Sequence, residues 1–371
     1  MKDLKLPFIA HFALVLLAIL MSGYLAILGK SLLAPLLFSL LMALLLLPLT
    51  NFLEYKLKFR RSLAAIVAVI AMIAVLYAII YFFAAQLSEL WTDWPLLVKE
   101  VTKAFHELQI WISKTFHINT YKQQSYISNT AEQALSSGAA VLGTTIITLS
   151  SSLLFLGFTI LFTFFLLNYR RLLFRFLTSV FKEEHKEKVN SIVNEIQRII
   201  KKYITGLFIQ MLIVTTLMIT ALSILGVKYA ILLGLVAGIF NIIPYLGIAI
   251  ALIISTLITF ATAGGAQALV VVFIFVGVHA IDGNILMPLV VGSKVKINAL
   301  IAFIGIVLGE MIWGIAGMFL CIPYLAMMKI IFANIDELKA WAILFGEQPK
   351  RKTRKRRSFQ LTKKIRIEEA E

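Results

Sequence analysis

The chain is short of charge, of cysteine and of acidic residues, and each shortage narrows what it can be. Only 15% of its 371 residues are Asp, Glu, Lys or Arg, where a soluble domain carries about a quarter. With 60% hydrophobic residues and a mean hydropathy of +0.93, this excludes an ordinary soluble globule and leaves a polytopic membrane protein. The one cysteine, Cys321, excludes an internal disulfide and argues against a metal site built on thiolates. It lies in an apolar run, as a small buried hydrophobe would. Enzyme signatures are missing as well: there is no HExxH, GxSxG, Walker phosphate loop or Cys/His cluster at metal spacing. No catalytic residue, cofactor or metal is implied.

The shortage of acid leaves a net charge of +16, spread unevenly. "KRKTRKRR" (350–357) holds seven positive residues, and Lys363, Lys364 and Arg366 follow. On a membrane protein such a run reads as a cytoplasmic tail held near anionic headgroups, in preference to a nucleic-acid site. The start, "MKDLKLPFIAHFALVLLAILMSG", has the charges and apolar core of a signal peptide. Its apolar run is long for one and a second run follows at once, so it reads as a retained first span.

What is abundant is long apolar sequence. Runs at 8–28, 32–49, 62–85, 146–168, 203–225 and 266–290 can each cross a hydrocarbon core as a helix. Two others, 228–263 and 297–333, exceed about 50 Å at about 1.5 Å per residue and are too long for one ordinary span. Both are broken in the middle. The first has Asn241, Pro244 and Gly247, in "GIFNIIPYLGIAI" (238–250); the second has Gly305, Gly309, Glu310, Gly314 and Gly317, with Pro323 beyond. Proline removes a helical hydrogen bond and glycine eases departure from helical geometry. Each run is therefore one tilted helix or two helices folded back as a re-entrant hairpin.

Positive charge favours the hairpins. With the amino terminus inside, loop 54–61 is cytoplasmic with four Lys/Arg, 87–145 lies outside with four lysines, and 169–202 lies inside with nine Lys/Arg. If 228–263 dips and returns, Lys294 and Lys296 fall inside, and a second hairpin at 297–333 leaves the basic tail inside too. Two amphipathic stripes complete the layout. Leu87, Leu90, Trp91, Trp94, Leu97, Val98, Val101, Phe105, Leu108 and Ile112 form one, and Val189, Ile192, Val193, Ile196, Ile199 and Ile200 the other. Packing within the fold or on the membrane surface accounts for both; a gate or an oligomer contact at 87–145 is the sharper reading.

Ionisable residues inside membrane runs are costly and face the protein interior or a wet cavity. Here they are His11, His279, Asp282 and Glu310. His11 suits an interfacial position. His279 and Asp282 share a helix face at three-residue spacing. Asp282 opens "DGNILMPLVVG", where Asp, Gly, Asn284 and Pro288 unwind a helix end; it either caps freed amides or meets a solute or ion. Glu310 marks the tip of the second broken run, either as a solvated carboxylate or, needing a partner or a proton, as the candidate proton- or cation-coupling carboxylate. Asn241 either satisfies backbone groups freed by Pro244 or lines a polar site, and Tyr245 either anchors at an interface or lines the same site. "NIIPYLG" and "LCIPYLA" echo one another between the two broken runs, as discontinuous helices of secondary transporters do.

"FNIIPYLGIAI" (240–250), "DGNILMPLVVGSKVKIN" (282–298) and "GIVLGEMIWGIAGMFLCIPYLAMMK" (305–329) resemble the autoinducer-2 exporter family of bacterial and archaeal membrane proteins. The match is close over roughly 200–333 and one of pattern in the amino-terminal half. Where the family usually has His-Pro, this chain has "KINAL", a departure at Asn298 and Ala299. The resemblance implies export of a small solute from a prokaryotic cytoplasm, for some members the quorum-sensing signal autoinducer-2. For other members it implies sodium(lithium)/proton antiport, and it implies assembly as a homo-oligomer.

The expectation is then an all-α polytopic membrane protein with about six full spans plus two re-entrant helical hairpins. Its parts are 1–86 (amino-terminal spans), 87–145 (extracytoplasmic helical segment), 146–225 (spans with the cytoplasmic loop 169–202), 226–333 (transport core) and 334–371 (basic tail), with both termini cytoplasmic. It is a non-ATP exporter of a small solute, or a cation/proton antiporter, or a non-transporting scaffold. Asn241, Pro244, Tyr245, Gly247, His279, Asp282, Asn284, Pro288 and Glu310 are the candidate solute or ion residues.

Overall fold

The computed structural model describes residues 7–96, 98–100, 102, 103, 106, 110, 152–243, 246–291 and 297–346. Among these the chain is helical, and the one extended pairing is an antiparallel bridge between Ile297 and Gly346. The helices are α1 Phe8–Leu28, α2 Lys30–Asn51, α3 Arg61–Thr92, α4 Ser152–Ser179, α5 Glu183–Ile224, α6 Ala230–Phe240 and α7 Leu246–Ala263. They continue with α8 Gly265–Ile281, α9 Ala299–Trp313, α10 Ile315–Asn334 and α11 Lys339–Phe345. Six helical stretches are long and apolar enough to cross a membrane: Lys30–Lys56, Arg61–Thr92, Ser152–Ser179, Glu183–Ile224, Gly265–Met287 and Ile315–Asn334. The protein is an all-α polytopic membrane protein.

Both long apolar runs fold back on themselves. The first becomes α6 and α7. At 11 residues, α6 is about 16 Å long, too short to cross alone. Gly247 shows that the chain reverses: it is buried, and a Cβ there would overlap the Phe240 carbonyl oxygen. In a continuous helix residues seven apart are separated by about 10 Å, so such contact requires a tight turn. The second run becomes α9 and α10, reversing at Gly314 with φ of 63°, a conformation glycine adopts without strain. Gly309 and Gly317 then meet backbone to backbone, and Gly305 packs on Cys321 and Leu325. This pair is deeper than a shallow re-entrant loop. Trp313 Nε1, at its tip, donates to the Ala26 carbonyl at 2.9 Å, which puts the tip level with the turn between α1 and α2.

Side-chain contacts sort the loops onto two ends. At one end Glu54 pairs with both Arg170 and Arg171, and Ser62 Oγ bonds Asn168 Oδ1 at 3.1 Å. A cavity at the same end brings Glu195 and Ile199 together with Ile297, Lys329 and Asn334. This is the basic end. A full crossing by 228–263 would have carried Ile297 to the opposite end; the hairpin returns it beside the basic loops. Lys294, Lys296, the tail from 347 onward and most of 87–145 lie outside the described residues.

At the other end, Asp93 just beyond α3 accepts hydrogen bonds from Lys228 Nζ (2.7 Å) and from the Tyr229 hydroxyl. Trp91 and Trp94 stack beside it with ring centroids 6.3 Å apart, as suits a membrane–water interface. The Lys228 hydrogen bond, then that of Tyr229, hold the Asp93 carboxyl below its ordinary value of 3.8, and Asp93 holds the Lys228 ammonium above 10.5. The Asp93 contribution is therefore present above its ordinary pKa and is lost as pH falls through the lowered value. That of Lys228 is full below 10.5 and is lost as pH rises through the raised value. Thermal unfolding should separate wild type from Asp93→Asn by a small, constant margin between about pH 5 and 9. The two curves should converge only as pH falls through the lowered Asp93 value.

The long helix α5 is the spine. Its 42 residues make it about 63 Å long, so it crosses a bilayer and projects beyond the basic end. Val214, Met218 and Leu222 pack with α6, α7 and α8 in one core cluster, while Ile200, Tyr203 and Ile204 pack with Leu41 of α2 and Leu320 and Met327 of α10 in another. Ile196 of the second amphipathic stripe joins this latter cluster, so the stripe serves helix packing. The stripe at 87–112 begins inside α3, which runs unbroken to Thr92.

Candidate functional site

Two helices stop where the sequence supplies breakers, and their ends meet against α5. α6 ends at Asn241, in αR geometry; Pro244, three residues on, has no N–H to continue it. α8 ends at Ile281 and passes into a π-helical stretch, Asp282–Val291, that contains Pro288. π geometry widens the turn and leaves the ladder irregular, which helices tolerate at sites with a use for it. Facing both is the row Gln210, Val214, Met218 and Leu222, one buried face of α5.

Asp282 lies at the centre, 4% exposed. Gln210 Nε2 donates to both of its carboxylate oxygens, at 2.8 and 3.0 Å, and Asn241 Nδ2 donates to Oδ2 at 3.2 Å. Gln210 is itself 6% exposed. The carboxylate is thus clamped by neutral side-chain amides and, among the described residues, accepts from no backbone amide. Among the described residues it forms no ion pair; the carboxylates that do are Glu54, Asp93, Glu183, Glu184 and Asp336. Above it is a cavity of about 20 Å³ lined by Asn241, Ile248, Ala251, Phe275, His279 and Asp282, among others. That is room for one water molecule or one dehydrated monovalent cation. Measured along α6, it sits about 16 Å from the Asp93 end, near the middle of a hydrocarbon core about 30 Å thick.

Of the residues expected at a site, Asn241, His279 and Asp282 come together here, and Gly247 makes their approach possible by closing the hairpin tip. Pro244 and Tyr245 lie outside the described residues. Asn284 is exposed and its Nδ2 donates to the Ala280 carbonyl at 2.8 Å, a bond within its own helix end. Pro288 contributes through the backbone of the π-helical stretch. Glu310 is on the other hairpin, exposed, and does not line the cavity. Asn298, at the departure from the family pattern, caps α9: its Oδ1 accepts from the Leu300 amide at 2.9 Å.

Gln210 is the residue that sequence reasoning missed. Its signal was present, a lone amide in "LFIQMLIVTTLM". Ionisable groups in apolar runs stand out by their charge, whereas a neutral amide at that depth also needs a partner. A larger cavity of about 160 Å³ lies separately at the basic end, against Glu195 and Lys329.

Among the described residues, a buried carboxylate in no ion pair, held where two interrupted helices meet inside an apolar bundle, is the arrangement found in membrane proteins of the transporter type. The chain belongs to the AI-2E family of transporters, whose model matches residues 13–337. It is 25% identical to "Putative transport protein YueF" of Bacillus subtilis over 263 residues, 68% of this chain and 70% of that protein. To a "Putative transport protein" of Thermotoga maritima it is 23% identical over 334 residues, covering 89% of this chain and 97% of that protein. To "Putative transport protein YrrI" of Bacillus subtilis it is 26% identical over 154 residues, and that match spans only 43% of the relative's length.

Proposed function

We propose that the protein is a secondary transporter, working without ATP, in which Asp282 binds a proton and a monovalent cation in alternation. The observation that supports this reading is the isolated carboxylate: at membrane depth its charge needs a mobile partner, and the amides of Gln210 and Asn241 fix its geometry without supplying one. The cavity's size favours an ion over an organic solute in this conformation. Export of a small solute such as autoinducer-2 is the second reading, favoured by the family; it requires the α6–α7 hairpin to move and widen the site. The scaffold reading is disfavoured by the cavity onto which Asn241, His279 and Asp282 converge from separate elements.

In this reading the basic end is cytoplasmic, as the positive-inside rule prefers, and both termini lie there. The tail from 350 to 366 would meet anionic headgroups. The division of the chain into amino-terminal spans, extracytoplasmic segment and transport core follows the same orientation. Glu310, one helical turn from a tip level with the α1–α2 turn, would be a solvated rim carboxylate or an oligomer contact. The deciding experiment is transport in proteoliposomes without organic solute. Sodium- or lithium-dependent proton flux supports ion exchange; release of loaded autoinducer-2 with no such flux replaces it by the second reading.

A further inference from the structure

Among the described residues, α7 carries the three hydroxyl oxygens that are buried without a hydrogen-bond partner. The buried threonines of α4 bond back to the carbonyl four residues earlier, Thr159 to Phe155 at 2.7 Å and Thr163 to Thr159 at 2.6 Å, and Thr216 of α5 does so to Leu212 at 2.8 Å. Within α7, Thr262 does the same to Ile258 at 2.9 Å. Ser255, Thr256 and Thr259 do not: each Oγ is buried and has no protein partner among the described residues. The local carbonyl is always within reach in a helix and is the easiest way to satisfy such a group in an apolar setting. Two turns of α7 thus hold three buried hydroxyl oxygens with no partner among the described residues, two of them, Ser255 and Thr259, on one face.

Their placement says where. Ala251, Ser255 and Thr259 follow one another at four-residue spacing on one face of α7, and all three are fully buried. Ala251 lines the Asp282 cavity. From Ala251 to Thr259 the face climbs about 12 Å towards the Gly264 turn. There Gln267 Nε2 bonds the Leu225 carbonyl at 3.0 Å, at the same end as Asp93 and Lys228.

We propose that the Ser255–Thr259 face of α7 is the leg of the translocation path between that end and Asp282, its hydroxyl oxygens replacing the hydration of a monovalent cation or holding the water that carries its proton. The proposal rests on the transport reading of Asp282 and adds the route to it. Hydroxyl oxygens suit this role because they can accept a hydrogen bond from water or ligate a hard cation at any point along the row, and hold neither with a fixed charge.

Two measurements test it. In proteoliposomes, Ser255→Ala with Thr259→Val should lower cation-dependent proton flux at least about tenfold. Its melting temperature should hold or rise, because unpartnered polar groups have been removed. A shift in the lithium concentration giving half-maximal flux marks the row as a cation ligand; an unshifted value with a slower rate marks it as a holder of water. Unchanged flux overturns the proposal. Independently of transport, Ser255→Cys and Thr259→Cys on a Cys321→Ala background should react with a small membrane-impermeant methanethiosulfonate. Ala266→Cys, exposed beyond the turn, is the positive control, and Ile253→Cys, on the exposed outer face of α7, should stay unreacted. Unreactive thiols at both 255 and 259, with Ala266→Cys labelled, overturn the path even if Asp282 proves essential. Labelling with flux intact in Asp282→Asn overturns the transport reading instead.

Discussion

Replacing Asp282 by Asn should reduce cation-coupled proton flux to the level of empty vesicles while the protein still inserts and stays folded. The substitution keeps the shape of the side chain, and its amide oxygen can still accept from Gln210. What it loses is the ability to exchange a proton for a cation. Structurally the exchange is mild, because no basic side chain is left behind unpaired among the described residues; breaking a buried ion pair would instead cost about 3–5 kcal/mol. Flux and melting temperature should therefore separate, with flux lost and the melting temperature kept. Asp282→Glu should retain partial, slower flux, since a cavity of about 20 Å³ has little room for another methylene. If Asp282→Asn were instead lost from the membrane, the carboxylate would be a structural clamp and its role as coupling group would fall.

The second large effect belongs to the hairpin tip. Gly247→Val should destabilise the protein by about 3 kcal/mol or more, because the new side chain would occupy the Phe240 carbonyl oxygen. That contact is backbone to backbone and cannot be relieved by a rotamer change, so the turn must open. Opening it also draws Asn241 away from Asp282, so residual folded protein should lose coupled flux. Gly277→Ala is the control. A Cβ there meets nothing within 4 Å and alanine favours helix, so it should be silent or slightly stabilising in a fluorescence-detected melting assay of detergent-solubilised protein.

Much of this arrangement was legible in the sequence. The two over-long apolar runs announced hairpins because a helix rises a fixed amount per residue, and the breakers fell midway along each run. Lysines and arginines sorted the loops to the ends at which the ion pairs of Glu54 place them. Asp282 and Asn241 stood out as polar residues in apolar runs. That they bond to one another across 41 positions depends on how α6 and α8 dock on α5, and no local pattern encodes that. Gln210 was legible only as an oddity, since nothing about a single amide says which partner it has. Glu310 stood out for the same reason as Asp282 yet sits apart, because burial of a carboxylate is decided by what packs over the helix. Ser255 and Thr259 looked ordinary, as hydroxyls in membrane helices usually satisfy themselves; only the bonds they forgo mark them.

Proton release on cation binding tests the central claim most directly. Calorimetric titration of the detergent-solubilised protein with lithium or sodium, repeated in buffers of different ionisation enthalpy, counts the protons given up per cation bound. Wild type should release up to one proton per cation bound, and Asp282→Asn should release none. Cation binding without proton release at any pH, or release that persists in Asp282→Asn, would contradict it.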